Sequence, residues 1–140
     1  MNPHITVLTL GVDDLERSVA FYRDGLGLST QGIIGTEFEN GAVAFFNLQI
    51  GLKLALWPRS SIAADTGLAM HASSPTAFTI GHNVSSQAKV NAVMAQAAAA
   101  GATTVKAAQA TFYGGYAGYF QDLDGHVWEV VFNPAIASLG

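Results

Sequence analysis

Over residues 5–12, Ile-Thr-Val-Leu-Thr-Leu-Gly-Val, apolar and polar or small positions alternate in a β-branched stretch, and this period of two predicts a strand. The period then lengthens. Leu15, Val19, Tyr22 and Leu26 recur at helical spacing behind Asp13, which stands three residues before Glu16 as in a capping box. Gly25 and Gly27 follow, residues suited to ending a helix. Strands are predicted at about 28–36, 42–49 and 51–58, with Asn40-Gly41 as a hairpin signal and Gln49-Ile50-Gly51 as a tight turn. Residues 59–75 show no period and contain Ser60-Ser61 and Ser73-Ser74-Pro75, which predicts a connecting loop. The pattern then restarts. A strand over 76–84 leads to Ser85-Ser86, a cap for a helix carrying Val90, Met94, Ala97 and Ala98, and Gly101 ends that helix. Strands follow near 102–110, 116–121 and 127–133, the last two joined through Asp122-Leu123-Asp124-Gly125.

Val12-Asp13-Asp14 and Val84-Ser85-Ser86 stand 72 positions apart, each followed by a helix and a glycine. Two copies of a strand–helix–three-strand unit are the simplest account. The expected fold is therefore α+β: a single domain over 1–140 with module one at about 4–58, a connecting loop at 59–75 and module two at about 76–134.

Composition narrows the function. Half of the residues are apolar and 11% are charged, which argues for a packed core and against disorder. The six Lys and Arg residues are scattered and the formal charge is -4, so no nucleic-acid partner is expected, and a neutral or cationic ligand suits the chain better than a polyanion. Absence of cysteine removes disulfides, thiolate metal sites and thiol nucleophiles. Met1-Asn2-Pro3-His4 leads straight into the first strand pattern, and no apolar run approaches the roughly 20 residues of a membrane span. A cytoplasmic protein without a membrane partner is the expectation.

Val12-Asp13-Asp14-Leu15-Glu16-Arg17-Ser18-Val19-Ala20-Phe21-Tyr22, ending in Gly25-Leu26-Gly27-Leu28, resembles the opening of the vicinal oxygen chelate superfamily. That superfamily holds glyoxalases, extradiol dioxygenases and bleomycin-resistance proteins. Gly118-Tyr119-Phe120-Gln121-Asp122-Leu123-Asp124-Gly125-His126-Val127-Trp128-Glu129 resembles its closing hairpin. The resemblance implies two βαβββ modules whose mixed, curved sheets surround a cleft and, in the enzymes, a divalent metal held there by one ligand from each module's first and last strands. It also implies a homodimer. Fold and reaction separate readily, so neither motif fixes a reaction.

Carried over position by position, the four ligand places fall on Val7, Thr79, Ala55 (or its neighbour) and Glu129. Glu129 alone offers a strong donor there, so no metal site is assigned and no cofactor is expected, with a divalent metal kept as the less favoured case. The four histidines, His4, His71, His82 and His126, show no chelating spacing.

Strand alternation then sorts the faces. With Val7 in the cleft, Ile5 and Thr9 join it, while Leu8, Leu10 and Val12 go under a helix. Lys53 and Trp57 share the cleft with Ala55; Val127 and Val131 share it with Glu129; Ala77 and Gly81 share it with Thr79. The candidate ligand-binding residues are Trp57, Lys53, Thr79, Thr9, Tyr113 and Tyr116, and the candidate catalytic residue is Glu129. Trp57 could stack on a planar ligand or simply pack; the aromatic loop Phe112-Tyr113-Gly114-Gly115-Tyr116 could touch ligand or form a structural bulge. Glu129 could be raised by burial into a general acid or base, or held ionised by Lys53. Asp13, Asp14, Asp122 and Asp124 are explained by caps and turns. The favoured function is a small-molecule-binding protein similar to the bleomycin-resistance branch, without the usual metal. The alternatives are a lyase, isomerase or dioxygenase using a rearranged metal site or Glu129, and an interaction module with a filled cleft.

Overall fold

The computed structural model describes residues 1–139, with side chains for all of these except 137–139. The chain divides into two compact units, Met1–Ala72 and Ser73–Gly140, with the boundary inside the expected connecting segment. Each unit contains the strand–helix–three-strand order read from the sequence.

In the first unit, β1 (Val7–Val12) leads to α1 (Leu15–Ala20), a π-helical turn (Phe21–Gly25), β2 (Thr30–Ile34), β3 (Val43–Asn47) and β4 (Lys53–Pro58). The sheet order is β1-β4-β3-β2, with β1 and β4 parallel and the other pairs antiparallel. Alternation puts Leu10, Val12, Leu54, Leu56, Ala44 and Phe46 into the core beneath α1, where Val19, Phe21 and Tyr22 meet them. The Tyr22 ring lies 5.0 Å from Phe21 and 6.0 Å from Phe46.

Three local expectations are corrected here. The cap of α1 is Asp14, whose Oδ1 accepts from the Arg17 backbone N–H at 3.1 Å; Asp13 instead pairs with Arg59 at 3.2 Å. The β2–β3 hairpin does form, but Asn40-Gly41 belongs to a longer connection over 35–42 rather than a two-residue turn. Asn40 takes the left-handed conformation (φ 55°), and a Cβ on Gly35 or Gly41 would collide with the other's carbonyl, so two glycines let the loop fold onto itself. Residues 59–66, expected as loop, form α2 (Arg59–Thr66), ended by Gly67 at φ 77°. This helix lies against β1 at Gly11, where a Cβ would come within 2.8 Å of Arg59 Cγ.

The second unit repeats the plan with β5 (Thr79–Asn83), α3 (Gln87–Ala99), β6 (Thr103–Ala110), β7 (Tyr116–Gln121) and β8 (Val127–Phe132), in sheet order β5-β8-β7-β6. Ser86 caps α3 by accepting from the Lys89 N–H at 3.2 Å. Val90, Met94 and Ala97 are buried against the sheet, whereas Ala98 turns outward. Gly118 leaves room for Met94, whose Cε would stand 3.0 Å from an added Cβ. Phe120 and Trp128 stack at 6.1 Å beside them. Among the described residues no helix is long and apolar enough to cross a membrane.

Candidate functional site

On the face of the first sheet opposite α1, the cross-strand pair Thr9 and Ala55 forms the floor of a cavity of about 270 Å³. Val43, Phe45 and Trp57 wall it, and Asn40 and Gly41 of the β2–β3 loop close one side. The Trp57 indole N–H donates to the Asn40 carbonyl at 3.0 Å, so the folded loop fixes the ring's orientation. Lys53, two residues before Ala55 on β4 and opposite Val7, sets its ammonium 5.8 Å from the centre of the Phe45 ring, within cation–π range.

The second sheet has its own cavity, of about 210 Å³, on the face opposite α3. Glu129 of β8 and Tyr119 of β7 are directly paired, and the Tyr119 hydroxyl donates to Glu129 Oε2 at 2.8 Å. That bond, then desolvation, then the carboxylate's negative charge keep the Tyr119 phenol protonated above its ordinary range. Lys106, Thr111, Phe112 and Tyr113 complete the wall. The turn carrying the aromatics is pinned by Thr111 Oγ1, which accepts from the Gly115 N–H at 2.9 Å.

The structure thus brings Thr9 and Trp57 to one cavity and Glu129 and Tyr113 to another. Thr79 is exposed on the edge strand β5, opposite Val127. Tyr116 turns to the helix side, where its hydroxyl donates to Asn91 Oδ1 of α3 at 2.9 Å. Within its own module the partner of Glu129 is Tyr119, a residue that face-sorting passed over. The ladder is centred on Asp124, so Tyr119 and Glu129, five residues to either side, pair across the hairpin; a tight turn over Asp122–Gly125 alone would have set Tyr119 opposite Trp128. Asp122 itself is structural, its Oδ1 accepting from the N–H groups of Asp124 and His126, both at 2.9 Å.

The donor chemistry does not fit the divalent cation that the resemblance implies. Of the four carried-over positions, Val7 and Ala55 end in hydrocarbon, Thr79 in a neutral hydroxyl, and Glu129 already accepts from Tyr119 through one oxygen. Among the described residues no three His, Asp or Glu side chains converge as a metal site would require.

A family model for the glyoxalase/bleomycin resistance protein/dioxygenase superfamily matches residues 3–130. The chain belongs to that superfamily. Among its solved members, a glyoxalase-related enzyme from Fulvimarina pelagi is 35% identical, with 94% of this chain and 89% of that one covered and a TM-score of 0.81. A superfamily protein from Nocardioides is 27% identical over 94% of this chain and 84% of its own, with a TM-score of 0.73. A lactoylglutathione lyase from Agrobacterium tumefaciens shares the superfamily fold at 21% identity, with 97% and 98% covered and a TM-score of 0.68. No curated protein sequence matches the chain.

Proposed function

We propose that this superfamily member binds a small organic molecule and does so without the divalent cation of its metalloenzyme relatives. One observation carries the reading: side chains without strong donors stand at three of the four ligand positions, and the remaining carboxylate is engaged by a phenol. The cavities suit such a ligand, each combining apolar and aromatic walls with a few polar groups. Elemental analysis of the purified protein, paired with ligand titration before and after EDTA, tests it. Metal well below one ion per chain and unchanged ligand affinity are expected; a stoichiometric ion whose removal abolishes binding overturns the reading.

The Tyr119–Glu129 bond favours a second reading, in which Glu129 takes a proton from a bound substrate while Tyr119 steadies the carboxylate. Turnover by metal-free protein that is lost in Glu129→Gln supports it, and undiminished turnover in that variant removes it. The same proposal places the protein in the cytoplasm as a homodimer. The dimer is supported by the apolar surface that Ile5, Val7 and Ile34 leave exposed on module one. Sedimentation velocity is expected to show a dimer.

A further inference from the structure

Four strands of the second sheet align one residue each in a single cross-strand row. Lys106 of β6 faces Tyr119 of β7, Tyr119 faces Glu129 of β8, and Glu129 faces Gly81 of β5. Residues paired in this way share one face of a sheet, here the cavity face. The row therefore runs cation, phenol, carboxylate, then a position with no side chain.

Each end of the row has a specific structural origin. In β6 the register shifts between Thr104 and Lys106. Thr104 pairs with Phe120, so without that extra residue Val105 would stand opposite Tyr119. The bulge replaces an isopropyl group with an ammonium at this place, and Val105 is left 54% exposed. Lys106 makes no ion pair with any described residue. At the other end, Glu129 uses Oε2 for Tyr119, while Oε1 accepts from no described residue. Oε1 faces the opening at Gly81, where an added Cβ would lie 4.0 Å away. Phe112 and Tyr113, in edge-to-face contact at 5.2 Å, supply an apolar wall, and Phe112 is fully exposed.

We infer that this cavity is a receptor for a small amphoteric molecule. Its protonated amine sits on Glu129 Oε1 over Gly81, its anionic group meets Lys106, and its apolar or aromatic body lies against Phe112 and Tyr113. A half-buried carboxylate with one unused oxygen forms a strong charge-assisted hydrogen bond with an ammonium. Lys106 repels a second cation and gives the opposite end its sign, so the row selects for charge order as well as for charge. Gly81 keeps the amine's approach open. The inference rests on the metal-free reading, because a cation at Glu129 would occupy the same oxygen.

The test uses the full-length protein at low ionic strength, where exposed charges are least screened. Para-aminomethylbenzoate is titrated by NMR against benzylamine, para-toluate and uncharged para-toluamide. Para-aminomethylbenzoate is expected to bind at least about tenfold more tightly than para-toluamide, the equivalent of one charge-assisted contact. Glu129→Gln is expected to erase that advantage, and Lys106→Met to reduce para-aminomethylbenzoate to the level of benzylamine. Gly81→Val leaves both charges in place and blocks the amine's approach, so it too is expected to weaken binding about tenfold. Equal affinity for all four probes, or binding of para-aminomethylbenzoate indifferent to Glu129→Gln and Gly81→Val, overturns the inference. If the protein proves metal-free yet charge-indifferent, this inference alone fails; a stoichiometric ion lost in Glu129→Gln removes the parent reading as well.

Discussion

Tyr119 and Glu129 meet across neighbouring strands, and the consequences of their bond are measurable one side chain at a time. Tyr119→Phe removes the hydroxyl while keeping the ring, and is expected to cost about 1.5 kcal/mol in chemical denaturation, since a partly exposed bond to a charged acceptor sits at the low end of its class. The phenol titrates above its ordinary value of 10.0. The stability it contributes is therefore intact below about pH 10 and is lost as pH rises through the raised folded value. Ultraviolet difference titration should show one fewer late-ionising tyrosine in the variant than in the wild type. His82 behaves in the opposite sense. Desolvation lowers its pKa from 6.5, so stability is greatest above that pH and declines as pH falls toward the lowered folded value. Imidazole NMR signals followed against pH check the direction. Glu129 was legible in the sequence because the closing motif points at it. Tyr119 was not, because its role depends on which residue lies across the hairpin, and a face count along one strand carries no such information.

Elements with a clear apolar period were legible, and those defined by contact were not. Buried Val90, Met94 and Ala97 recur on one stripe of α3, and the alternation of β1 and β4 sorts Leu10, Val12, Leu54 and Leu56 into the core. The helix α2 has no comparable stripe: it opens with Arg59-Ser60-Ser61 behind a proline and buries Ser61. Its place is set by a missing side chain on β1 and by the Arg59 guanidinium, which donates to Asp13 Oδ1 and to the His71 carbonyl. Gly11→Val should therefore crowd Arg59 and Ile62 and lower stability by about 1–3 kcal/mol, read as a drop in denaturant midpoint. An unchanged midpoint would show that α2 can slide away at no cost. Composition alone suggested a loop because serines serve both loops and short polar helices.

For the whole chain, the repeat of 72 positions was readable because both modules keep the same order of elements and the same cap-then-glycine punctuation. The cavity outlines were harder to foresee. They depend on the folded 35–42 loop in one module and on a strand bulge in the other, and neither leaves a periodic trace. A ligand that binds only the folded state at a hundred times its dissociation constant adds about 2.7 kcal/mol of stability. Adding manganese, nickel or zinc to the purified protein is expected to leave its melting temperature unchanged, and a clear rise with any of them would argue for a cation site.

In both sheets the strand made last is inserted beside the strand made first, so β4 separates β1 from β3 and β8 separates β5 from β7. During synthesis β1 thus emerges with no sheet to join, and its ladder groups wait until Lys53–Pro58 has cleared the ribosome. Such distant pairing slows folding. The same wait recurs for β5 until Val127–Phe132 arrives, which makes each newborn edge a transient target for chaperones or for a neighbouring nascent chain.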